Sequence, residues 1–318
     1  MGITMRSMGA QRSIFDGNEP LKITKPIRLI ELFAGIGAQA KALENLGVDF
    51  EHYRICEFDK YAVVSYNAIH GTNFEPSDIT QIRARDLGIE ETDKYFYILT
   101  YSFPCTDLSK AGKQQGMGKE SGTRSGLLWE VERILSEIVL EGGQLPQLLL
   151  MENVPDVVSD KNKADFFAWC EFLEGLGYTS KYDIMNAKDY GIPQNRERCF
   201  MLSWLGDEFY YDFPEKIPLT KTLKDVLEKK VDEKYYLSDE AVSKMAIADE
   251  TAGGYLPSKS QRPCERAEEE ALTDIVGILL SNQGRKFERR TDIATTLMSR
   301  DYKGFGNQTM TGVLEWKK

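Results

Sequence analysis

The sequence predicts an α/β fold: a Rossmann-like, doubly wound sheet followed by a second, smaller and irregular domain. Three observations carry that prediction. From Pro26 onward, short apolar runs alternate with segments of helical period, the pattern of a parallel sheet wrapped by helices. Leu29-Ile-Glu-Leu-Phe33 feeds a glycine turn, Ala34-Gly35-Ile36-Gly37, after which a helix begins. Past about residue 210 the alternation stops, and Phe209, Tyr210, Tyr211, Phe213, Pro214, Pro218 and the acidic run Glu268-Glu-Glu270 mark a different region.

In chain order, residues 1–25 are polar and irregular and are expected to form a flexible tail. A first domain spans 26–211, with strands expected near 28–33, 52–56, 95–101, 147–151, 178–187 and 198–204. Helices fit near 37–46, 60–70, 125–140 and 164–176, and residues 212–318 form the second region.

No apolar run is long enough to span a bilayer, which excludes a membrane partner and suits a cytoplasmic protein. The five cysteines, at 56, 105, 170, 199 and 264, lack CxxC spacing, so neither a disulfide framework nor a metal site is expected. His52 and His70 have no partner legible in the sequence. A net charge of −10 argues against an all-over basic nucleic-acid binder, although a local basic face suffices for a nucleic-acid enzyme. Two stretches supply such a face. One carries Lys110, Lys113, Lys119 and Arg124, and the other Arg285, Lys286, Arg289, Arg290, Arg300 and Lys303. Solvated surface charge is the plainer reading of either run.

Several segments carry chemistry. Phe103-Pro104-Cys105 follows a buried apolar run, so that proline fixes the backbone before a presented thiol. Most unpaired cysteines are small core residues, so the tripeptide alone is a weak signal. Glu152, in Met151-Glu-Asn-Val-Pro155, closes the apolar run Gln147–Met151, where a carboxyl group can serve as an acid. Gln194, Arg196 and Arg198 alternate along an extended segment and share one face, suited to binding carbonyl, carboxylate or phosphate oxygens. Glu57, at the end of the second strand, can accept hydrogen bonds from ribose hydroxyls, and Asp78 can take an adenine amino group. Asp59 reads as a helix N-cap. Between Cys105 and residue 125, glycines 112, 116, 118 and 122 among cations suggest a mobile lid.

Leu32-Phe-Ala-Gly-Ile-Gly-Ala38, Phe103-Pro104-Cys105, Met151-Glu-Asn-Val-Pro155 and Gln194-Asn-Arg-Glu-Arg198, in this order, together resemble the motif set of the cytosine-C5 DNA methyltransferases. The resemblance implies a Rossmann-like methyltransferase domain and a target-recognition region, with S-adenosylmethionine as methyl donor and no metal. Phe33, Gly35, Gly37, Glu57, Asp78, Ile79 and Pro104 would bind the donor. Cys105 would be the nucleophile, with Glu152, Arg196 and Arg198 completing the catalytic site and Gln194 supporting. The implied partner is double-stranded DNA with its target base flipped out, in a bacterial or phage-encoded restriction-modification setting. RNA methylation is the alternative substrate reading. Two departures stand out: Thr106 replaces a frequent glutamine, and the family's closing C-terminal segment is not recognisable after residue 307. The latter suggests a truncated chain, or a split one completed by a second polypeptide.

Overall fold

A computed structural model describes residues 23–105, 118, 125–206, 211–227, 278–280, 287–289 and 294–295. The expected tail up to residue 22, most of the glycine-rich lid and most of the 212–318 region lie outside the described residues.

Six strands form one sheet: β1 (Ile27–Leu32), β2 (Phe50–Cys56), β3 (Phe96–Tyr101), β4 (Leu148–Asn153), β5 (Tyr178–Asn186) and, after the short β6 (Gln194–Asn195), β7 (Glu197–Leu205). Their spatial order is β2-β1-β3-β4-β7-β5. The expected strands all form, with ends within two residues of their predicted limits. β3 is central and buried at all six positions, which is why its sequence reads as one apolar run rather than an alternation. The helices are α1 (Ala38–Asn45), α2 (Lys60–His70), a single turn α3 (Ala84–Leu87) that sequence reading did not anticipate, α4 (Leu128–Leu140) and α5 (Lys163–Gly175).

Local chemistry explains the helix limits. Asp59 caps α2, its Oδ1 accepting from Tyr61 N at 2.8 Å, and Gly71 ends the helix at φ 67°. In α4, Leu128, Val131, Ile134, Leu135 and Ile138 recur at helical spacing and are all buried against the sheet. α5 contributes Phe166, Trp169 and Leu173 to the same core, where Trp169 Nε1 donates to Tyr101 Oη at 3.0 Å.

One expectation needs correction. The sheet is not wholly parallel: β7 runs antiparallel to both β4 and β5. The reversal has a physical cause. Only residues 187–196 separate β5 from β7, too few for a crossover helix, so the two strands pair as neighbours in opposite directions. As a result, the amino end of β7 meets the carboxyl ends of β4 and β5.

Candidate active site

The chain order places a topological switch at β1, whose neighbours β2 and β3 lie on opposite sides. In such sheets the crevice outside the strand carboxyl ends is where ligands bind. Phe33, Glu57, Ser102–Cys105 and Glu152 lie at or just beyond those ends, and antiparallel β7 brings Arg196 and Arg198 to the same edge.

On the β1–β2 side, the turn after β1 holds Phe33, Gly35 and Gly37 at φ 57°, 57° and 80°. A Cβ on Gly35 would meet nothing within 4 Å, so that flank of the turn stays open for a ligand to approach. Gly37 differs. A Cβ there would collide with His70 Nε2 and lie 2.6 Å from Tyr66 Cε2, so close packing against α2 already demands glycine. Glu57 accepts from Gly35 N and Asp59 N, both at 2.8 Å, and thereby ties the turn to the end of β2. Asp78 Oδ1 accepts from Thr80 N and Oγ1, while the Ile79 side chain is buried in the core. Arg133 of α4 donates to the carbonyls of Ile79 and Ile82 at 3.1 and 2.8 Å, which holds this segment in place. This role of Arg133 is not legible in the sequence because the two carbonyls it holds lie more than 50 residues away.

The cysteine loop is tied at three successive residues. Gln39 Nε2 donates to Ser102 Oγ at 2.9 Å, Asn153 Nδ2 to Phe103 O at 3.0 Å, and Ser125 Oγ to Pro104 O at 2.8 Å. Asn153 and Ser125 are buried, so each bond replaces solvation that the carbonyls have lost. Gln39 and Ser125 were not legible as site residues.

Glu152 and Arg198 meet diagonally across the β4–β7 pair, in which Glu152 faces Phe200. Arg198 Nε lies 3.0 Å and Arg196 Nη2 3.5 Å from the same Glu152 Oε1. Asn186, at the end of β5, accepts from Arg196 N at 3.1 Å and donates to Asn195 at 2.8 Å, setting the backbone that presents Arg196. Burial raises the Cys105 thiol above its ordinary value; the charges of Arg198 and Arg196 oppose that shift and Glu152 adds to it. Burial and the adjacent Arg198 lower the Arg196 guanidinium. Gln194 pairs through β6 with Ala294 rather than continuing β7.

A doubly wound sheet whose switch-point crevice is flanked by an open glycine turn, with a thiol near a carboxylate–arginine cluster at the same edge, defines an α/β protein of the ligand-binding, enzyme-like class. Comparison with known proteins narrows the class. The chain belongs to the C-5 cytosine-specific DNA methylase family, whose model matches residues 27–301. It is 35% identical over 264 residues to the type II methyltransferase M2.ScrFI of Lactococcus lactis subsp. cremoris, covering 68% of this chain and 72% of the relative. It is 36% identical over 269 residues to the orphan methyltransferase M.SssI of Spiroplasma monobiae, covering 68% of each chain. The same fold is found in the Schizosaccharomyces pombe Dnmt2 methyltransferase (TM-score 0.54, 21% identity, 70% of this chain and 67% of that one). Entamoeba histolytica EhMeth also shares it (TM-score 0.60, 16% identity, 90% of this chain and 75% of that one). The comparisons give no support to a second polypeptide. Among the described residues, no helix is long and apolar enough to cross a membrane.

Proposed function

We propose that this chain methylates C5 of a flipped-out cytosine in duplex DNA through a covalent adduct between Cys105 and C6. The observation that carries the reading is the Glu152–Arg198–Arg196 cluster at the strand edge where the loop tied at Ser102, Phe103 and Pro104 ends in Cys105. S-adenosylmethionine, when bound, supplies an electrophilic methyl group. The residues at the glycine turn suit it: Gly35 leaves an open flank, and the two Glu57 oxygens keep acceptor capacity for ribose hydroxyls.

Cytosine C5 is a poor nucleophile. When the Cys105 thiolate adds to C6, a C–S bond forms, the C5–C6 double bond is lost, and C5 becomes enamine-like and able to take the methyl group. As the guanidinium groups turn to the base and phosphate, Glu152 takes up a proton from solvent and offers it to N3 while charge builds on the ring. Arg196 and Arg198 bind the base carbonyl and nearby phosphate. Once C5 has taken the methyl group, which would leave the donor's sulfur as a neutral thioether, loss of the C5 proton to solvent expels the thiolate, N3 gives its proton back to Glu152, and the aromatic ring is restored. The free thiol is raised by burial, so arrival of the substrate must favour its anion.

The test is methyl transfer from labelled S-adenosylmethionine to duplex DNA or tRNA by the purified chain, with Cys105→Ala as control. The reading expects 5-methylcytosine in the duplex, and a stable adduct with DNA containing 5-fluorocytosine. Both should disappear in the variant, a loss on the order of 10⁴-fold or more. Label in tRNA alone would move the substrate to RNA. A folded chain that binds the methyl donor yet forms no adduct would overturn the covalent mechanism.

A further inference from the structure

The only two histidines in the chain, which sequence reading left without partners, come together beneath the cofactor turn. His52 lies on β2 and His70 at the end of α2, and Glu44 of α1 reaches both. His70 Nδ1 is 2.7 Å and His52 Nε2 3.8 Å from Glu44 Oε1, and the three donor atoms lie within 4.8 Å of one another. We propose that Glu44, His52 and His70 form a binding site for a zinc-class divalent cation, one that pins α1, α2 and β2 under the glycine turn. Two imidazoles and a carboxylate are a donor set that zinc takes readily, with the fourth position left to water.

The surrounding hydrogen bonds argue for this occupant. His70 Nε2 faces the Ile36 carbonyl at 3.1 Å, and a carbonyl only accepts, so Nε2 carries the proton. Nδ1 therefore turns toward a carboxylate oxygen, an arrangement that needs a proton or a cation between them. Tyr66 Oη donates to Glu31 at 2.6 Å and accepts from His52 Nδ1 at 2.9 Å, which directs the His52 Nε2 lone pair toward the same oxygen. A proton shared by His70 and Glu44 leaves His52 unused, whereas a cation engages all three. Each imidazole thus has its second nitrogen fixed by a carbonyl or hydroxyl, as in metal-ligating histidines generally.

Glu31 is a second, independent sign. Its side chain is wholly buried in β1, with Tyr66 and Ala40 N as donors, and no lysine or arginine pairs with it among the described residues. A cation one residue beyond Tyr66 would compensate that carboxylate. Lys41 holds Glu44 Oε2 at 2.7 Å, leaving Oε1 to the ion. Zinc at about 2.0–2.1 Å from each donor needs donor separations near ~3.3 Å. The imidazoles therefore close together by side-chain tilts, and Glu44 moves off His70 by a few tenths of an ångström.

The experiment titrates zinc into the full chain after chelator treatment and thiol alkylation, against a chromophoric zinc indicator, with Co²⁺ spectra reporting geometry. The expected result is one ion per chain, tetrahedral Co²⁺ bands, and a higher melting temperature with zinc bound. His52→Ala and His70→Ala should each abolish binding. Tyr66→Phe, which removes the hydrogen bonds to His52 Nδ1 and Glu31 but no donor atom to the ion, should weaken it about 10–100-fold. Glu44→Gln and His52→Ala keep the test valid if the fully buried His70 proves necessary for folding. A folded wild-type chain that takes up no zinc at micromolar concentration overturns the site, as does zinc that survives His52→Ala.

Discussion

Glu31 and Glu152 are both strand carboxylates of the same sheet, and the fold answers them in opposite ways. Glu31 is sealed inside β1 and satisfied by a hydroxyl and a backbone N–H. Burial raises its pKa against those hydrogen bonds. Glu152 stands at the open edge of β4, one-fifth exposed, and is satisfied by two guanidinium groups. Two neutral donors, one on each oxygen, fix a geometry. Long charged side chains at an edge can change partners when a substrate arrives. The first carboxylate ties β1 to α1 and α2, and the second is the one the proposed mechanism uses.

Exchanging each carboxylate for an amide tests that contrast most severely. Glu152→Gln should cut methyl transfer by about 10²–10⁴-fold while leaving the melting temperature nearly unchanged. Glu31→Gln should instead cost about 1–3 kcal/mol of stability, because one amide group must face a donor already in place. Denaturant melts and single-turnover assays on both variants read the two effects separately. If Glu152→Gln lowers stability and spares turnover, the division is wrong.

A second contrast distinguishes the two glycines of the turn. Gly37→Ala sets a methyl group against His70 and Tyr66 at φ 80°, and should destabilise the protein by about 2–4 kcal/mol. Gly35→Ala meets open space and costs about 1–2 kcal/mol for its backbone alone, so its main effect should be weaker binding of the methyl donor. Equal losses of stability would show that Gly35 is also packed.

The mildest test follows the thiol. Burial raises the Cys105 pKa above its ordinary 9.0, so the neutral form dominates at pH 7 and the thiolate grows as pH rises. Alkylation of Cys105 in the free chain, followed by mass spectrometry, should accelerate about tenfold per pH unit from 7 to 9. A rate that is already flat across that range would mean that Arg196 and Arg198 outweigh burial.

Much of this was legible in the sequence because it is local. Each strand is a short apolar run, each long helix has a cap or a buried stripe, and the Asp59 cap sits where residue type alone puts it. The direction of β7 was not legible, because apolar pattern carries no sign. It followed from the shortness of the 187–196 connection. The network beneath the turn was hidden for another reason. Glu31 lies within an apolar strand, and Glu44, His52 and His70 come from three different elements. Only the folded chain makes them neighbours, as it does Arg133 with Ile79 and Ser125 with Pro104.

The turn between β5 and β7 has a consequence for how such a protein can diversify. Residues 211–217 run beside β5, with Lys181 holding Tyr211 and Asp212, and Ile217 bridges to Tyr190. Ala294 then pairs with Gln194, four residues along the same turn. The chain from 218 to 293 is therefore anchored at both ends on the turn that presents Arg196. Closing a loop of twice the length costs only about 0.6 kcal/mol more. The length of chain between two such anchors can therefore change at little cost in closure, while the turn itself stays pinned by Tyr190 and Gln194.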